Sequence, residues 1–164
     1  MNLLFYLSAL IAVISTFLVI TRTNTVHALL YLIVSLLAVA MIFFILGAPF
    51  VAALEVIIYA GAIMVLFIFV IMMLNLGGAH AKEEAQFLTP GIWRGPAILC
   101  VVLMAELIYL ITPDNTRLSA VTEITPKQIG IALLGPYVLG VELASMLLLA
   151  GLVGAYHLGR PHKH

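Results

Sequence analysis

Apolar residues run along this chain in stretches long enough to cross a bilayer, separated by short polar breaks. The stretches cover residues 3–20, 28–46, 50–76, 96–111 and 126–158. In the third, residues 51–74 make 24 positions with a single charge, Glu55. As a helix they would extend roughly 36 Å, more than the ~30 Å hydrocarbon core. A lone segment in hydrocarbon must satisfy its own backbone N–H and C=O groups, and the alternating strands of a barrel are not seen. The pattern therefore predicts an all-α integral membrane protein, one membrane domain over residues 1–164 with five transmembrane helices.

The polar breaks carry helix-end chemistry. Thr125-Pro126-Lys127-Gln128 has a capping hydroxyl, a proline at the first helical position and a glutamine at the third, so the fifth helix is expected to start there with a capping box. Gly95-Pro96 is expected to start the fourth in the same way, and Gly77-Gly78 to stop the third. Pro113-Asp114-Asn115 opens the loop after the fourth span as a turn. The first stretch is read as a retained span and not a signal peptide, because the first five residues hold no Lys or Arg and no small-residue cleavage site follows.

Five spans place the termini on opposite sides, and basic residues mark the cytoplasmic one. Arg22, Lys82, Arg94, Arg160 and Lys163 share one face; Arg117 and Lys127 share the other with the N-terminus. The expected orientation has the N-terminus outside, loop 77–95 and the C-terminus cytoplasmic, and loop 112–125 external. Composition agrees: 65% of residues are hydrophobic and 9% charged, far below the ~25% that covers a soluble domain. Net charge is zero, and nothing points to nucleic acid. A single cysteine, Cys100, can build neither a disulfide framework nor a Cys-ligated cluster within the chain. His27, His80, His157, His162 and His164 show no spacing for a metal or haem, so no metal, cofactor or catalytic residues are assigned.

Three acids lie where lipid would reject them: Glu55, Glu106 and Glu142. A charge at a helix centre costs about 2.5–3.5 kcal/mol on insertion scales, so such acids face protein or water. Glu106 lies closest to the interface, near Tyr109, and is read as reaching headgroups or water. On the fifth span Gly140, Ala144, Gly151 and Ala155 form a small-residue stripe opposite Glu142, a close-packing surface that leaves the acid for a second neighbour or a hydrated cavity. Pro136 interrupts that span and is expected to kink it. On the third, Glu55 and Tyr59 share a face, and Gly61 weakens a run of bulky residues. That glycine is open to two readings, ordinary close packing or a π-bulge. His27, Tyr31 and Ser35 follow at i+4 on the second span and read as interfacial anchoring.

Residues 24–32, NTVHALLYL, and 53–76, ALEVIIYAGAIMVLFIFVIMMLNL, resemble the J-subunit family of the bacterial proton-pumping NADH:quinone oxidoreductase, equivalent to chain 6 of mitochondrial complex I. The likeness is sharp over residues 24–76 and topological elsewhere. It implies a subunit without a redox centre of its own, in a complex that uses NADH, FMN, iron–sulfur clusters and quinone. Its partners would be the quinone-site subunit and the small and antiporter-like membrane subunits, in a bacterial inner membrane. It also implies a π-bulge in the Tyr-x-Gly region. A rotation of the third helix would then gate proton translocation through Glu55, Tyr59, Gly61, Met64, Val65 and Phe67; Glu142 joins the proton path on its own intramembrane position and not through the likeness. A related subunit of a cation/proton antiporter or membrane hydrogenase, and a pure membrane-arm scaffold, are the alternatives.

Overall fold

A computed structural model describes residues 2–74, 90–112 and 123–159. The expected Gly77-Gly78 stop, the Pro113-Asp114-Asn115 turn, most of the two long loops and the C-terminal tail lie outside them. The described residues form α1 (Asn2–Thr21), α2 (Thr25–Ile45), α3 (Pro49–Leu54), a π-helical segment (Glu55–Ile63), α4 (Met64–Leu74), α5 (Pro90–Ile111), α6 (Pro126–Leu134) and α7 (Val138–Gly159). Five of these stretches are long and apolar enough to cross a membrane: Leu3–Thr21, Thr25–Ile45, Pro49–Ile71, Trp93–Ile111 and Val138–Gly159. The helices fall into two units, α1 to α5 and α6 with α7.

In the first unit α2 is the central post. Tyr31, Val34, Ala38, Met41 and Ile45 recur at alternating steps of three and four and are all buried, a single stripe along one side. α1, α3, the π-helical segment, α4 and α5 all pack on α2. Lipid tails are as apolar as leucine, so this association rests on close packing more than on hydrophobic burial. The sequence supplies what close packing needs: Ala38 is fully buried on α2, and α1 turns Ser8, Ala12 and Ser15 inward along one face. Ile11, Val34, Ala38, Met41 and Leu103 form the apolar core where α1, α2 and α5 meet.

Two caps hold the ends of α2. Asn24 Oδ1 accepts the His27 N–H at 3.1 Å, satisfying one of the orphan donors of the first turn. At the other end Gly47 takes φ 82°, the left-handed conformation that a side chain resists. The Gly47 N–H then reaches Phe44 O at 3.1 Å and the Ala48 N–H reaches Phe43 O at 3.0 Å. Pro49 follows in the first turn of α3, where its missing N–H costs nothing.

The fourth span starts earlier than its sequence suggests, at Pro90, and carries Pro96 inside. Gly95 has a packing role instead of a starting one: a Cβ built there would overlap the Tyr31 hydroxyl. The fifth span is two helices, not one kinked rod. Thr125 caps α6 with both bonds of the box, its N–H donating to Gln128 Oε1 at 2.9 Å and its Oγ1 accepting the Gln128 N–H at 3.4 Å. α6 then ends at Leu134, Gly135–Tyr137 makes a turn, and α7 begins at Val138. Pro136 has no N–H to continue the helix. At Gly135 a Cβ would stand 2.7 Å from Ile131 O, closer than real Cβ atoms come, so only glycine fits.

Candidate functional site

The third span is one continuous helix whose winding changes twice. Leu54, Glu55 and Met64 all hold right-handed helical dihedrals, so the axis does not break at either junction. Between them, over Glu55–Ile63, the backbone is π-helical. The Met64 N–H bonds to Tyr59 O, five residues back, and to Gly61 O, three back, at the return to α-helix. Such wide turns are rare and usually a single turn long. Here the segment begins at Glu55, a turn before Tyr59. Gly61 lies inside it, and a Cβ there would meet Val56 O at 3.2 Å, tighter than ordinary van der Waals contact.

The winding distributes the side chains around the rod. Glu55, first in the π-helical segment, is half-buried. Met64 turns inward and is 4% exposed, whereas its neighbour Val65 is 63% exposed. Tyr59 and Phe67 are each 50% exposed. Val56 lines an apolar cleft of about 420 Å³ between the third span, α2 and α5, whose opposite wall includes Cys100, Leu103 and Met104. Six of the seven sequence-predicted residues thus lie on this one rod, on different sides of it. The seventh, Glu142, belongs to α7 in the second unit and is exposed; its backbone carbonyl accepts a hydrogen bond from Ser145 Oγ at 2.7 Å. The Gly140 and Gly151 of its small-residue stripe have open space where a Cβ would stand.

Sequence reasoning placed two other groups wrongly. Glu106 does not reach the interface. It is 4% exposed, and Ser8 Oγ donates to its Oε2 at 2.8 Å across α1 and α5. Tyr31 is likewise buried, with the Arg22 guanidinium 5.7 Å from its ring centroid and the His27 ring at 5.0 Å. Below it the Thr16 and Ser35 hydroxyls lie 2.8 Å apart, and both reach Ala12 O. Intramembrane hydroxyls of this kind bond across helices or back to their own carbonyls, so the strip is interior glue.

The model of the family described as NADH-ubiquinone/plastoquinone oxidoreductase chain 6 matches residues 15–158. The chain belongs to that family. Curated relatives extend the chain 6 likeness over nearly its whole length. It is 57% identical over 163 residues to the NADH-quinone oxidoreductase subunit J of Escherichia coli (strain K12), covering 99% of this chain and 89% of that protein. Against the subunit of the same name from Pseudomonas aeruginosa it is 59% identical over 162 residues, with 98% and 97% covered. The subunit J of Buchnera aphidicola subsp. Schizaphis graminum is 51% identical over 163 residues, with 99% and 100% covered. Membership in the chain 6 family fits an all-helical membrane protein.

Proposed function

We propose that this chain is the J-type membrane subunit of a proton-translocating NADH:quinone oxidoreductase in a bacterial inner membrane, and that its third span switches the coupling between quinone reduction and proton movement. The full-length likeness to subunits of that name supports the first part. The π-helical segment Glu55–Ile63 carries the second. Electrons pass through other subunits, which hold the NADH site, FMN, iron–sulfur clusters and quinone. The N-terminus faces outward and the C-terminus the cytoplasm.

The switch follows from winding. Each residue taken out of, or returned to, a wide turn rotates everything beyond it by about 100°. One such step would carry Met64 out of its buried place on the rod and bring Ile63 or Val65 into it. Tyr59, Val65 and Phe67 then exchange the neighbours they face, and an apolar constriction that opens or closes in this way gates water, and with it protons, by dewetting. Glu55 stands at one end of the wide turns as a proton carrier, and Glu142 serves a second step on the fifth span. The quinone-site subunit and the small and antiporter-like subunits are the partners these side chains would meet.

The test is Gly61→Val in the assembled complex, reading NADH:quinone reduction and proton pumping together. A Cβ at 3.2 Å from Val56 O, with two further methyls, opposes the wide turn. Pumping should fall with assembly intact. Normal pumping in a normally assembled variant refutes the switch and leaves the third span as a scaffold. Full pumping in both Glu55→Gln and Glu142→Gln, which keep shape and lose ionisation, removes those acids from the path.

A further inference from the structure

Glu106 takes no part in the switch described above, and stability does not account for it. Its side chain is 4% exposed in the middle of an apolar wall; Oε2 accepts from Ser8, and Oε1 is buried with no hydrogen-bond partner. Leaving such an oxygen unsatisfied costs about 1–3 kcal/mol. Replacing a buried polar pair with apolar groups of similar volume is often neutral or stabilising. A bundle selected for packing alone would carry hydrophobes of matching volume at positions 8 and 106.

Among the described residues, the helices packed around the acid bring no compensating charge beside it. α1 holds no charged residue, and its one titratable side chain is Tyr6. α2 holds His27 and Tyr31, both toward its opposite end from the acid, and α5 itself holds Arg94, Cys100 and Tyr109. The second buried orphan, Ser15 Oγ, lies two turns along the same face of α1. Ile11, on α1 between the two orphans, belongs to the apolar core with Val34, Ala38 and Leu103. Glu106 is thus closed off from the Thr16–Ser35 cluster. It lies five residues before the last residue of α5, about 7.5 Å along the axis, and Ser8 lies six residues into α1, about 9 Å.

We infer that Glu106, oriented by Ser8, is a proton-binding site separate from the third span, loaded and unloaded during turnover from the end of the bundle where α1 begins and α5 finishes. One O–H bond forms on the carboxylate when a proton arrives from water and breaks when it leaves; no electron moves. The inference rests on the reading of the chain as part of a proton pump.

Two variants of the whole complex in liposomes test it. Glu106→Gln keeps the shape and a carbonyl to accept from Ser8 but cannot ionise. The Ser8→Ala/Glu106→Met pair removes both polar groups together. Both should assemble with wild-type thermal stability and reduce quinone, yet translocate several-fold fewer protons per NADH. Pumping at the wild-type ratio in either variant overturns the inference, and so does failure of both to assemble, which would give the pair a folding role. If the wild-type complex moves no protons, the proposed function itself fails; if it pumps and Glu106→Gln pumps equally, this inference alone does.

Discussion

Gly95 and Tyr31 make a packing contact with no room for a Cβ, and a double-mutant cycle measures it. The Cβ of Gly95→Ala would overlap the Tyr31 hydroxyl, with Cζ at 3.1 Å and Cε1 at 3.6 Å behind it. Tyr31 cannot swing freely, because it is buried between α2 and its neighbours with Arg22 and His27 over its ring. Overpacking at such a site costs about 1–3 kcal/mol. Tyr31→Phe deletes the overlapping atom. The nearest one left is then the ring carbon at 3.1 Å, a contact relieved by a shift of a few tenths of an ångström. In the Tyr31→Phe background Gly95→Ala should therefore cost less than about 1 kcal/mol, a coupling of roughly 1–2 kcal/mol. The assay is the heat-inactivation half-time of purified complex for the four members of the cycle. If the penalty acts on unfolding, Gly95→Ala alone shortens the half-time by about five-fold per kcal/mol, and the double variant recovers most of it. Additive effects, within ~0.5 kcal/mol, would show that these two residues do not touch and refute the packing of α5 on α2.

The turn and cap of the second unit give two further tests. Gly135→Ala should lower assembly yield and thermal stability, because its Cβ meets Ile131 O at 2.7 Å, while Gly130→Ala, with nothing within 4 Å, should be neutral or stabilising by up to about 1 kcal/mol; equal effects would contradict the break between α6 and α7. Thr125→Ala removes a capping oxygen worth about 1 kcal/mol, so hydrogen exchange at the Gln128 amide should quicken about five-fold, and unchanged exchange would mean the box does not form in the membrane.

Local chemistry was readable from the sequence where the controlling partners are neighbours in the chain. The five apolar spans and the Thr125–Gln128 box depend on residues within a few positions of one another. Pro96 misled for the opposite reason: a Gly-Pro pair signals a helix start, but Gly95 is there to admit Tyr31, sixty-four residues away. The burial of Glu106 depends on Ser8, 98 residues distant, and on the small inward face of α1. That face, Ser8-Ala12-Ser15, was the available signal, since small and hydroxylated residues mark where two membrane helices come close. At the candidate site, Glu55, Tyr59 and Gly61 were noticed as residue types. The inward turn of Met64 and the outward turn of Val65 were not, because direction around a rod is a sum over every turn before it.

The tight connection from Ile45 to Pro49 has a mechanical consequence. Leu46, Gly47 and Ala48 are all bonded back into the last turn of α2, and α2 is held by every other helix of its unit, so the near end of the third span is clamped like a torsion bar in a vice. If the wide turns twist as proposed, that joint resists the twist. Under the proposed switch it would run forward along Met64–Leu74, and a partner packed on that helix would feel the torque.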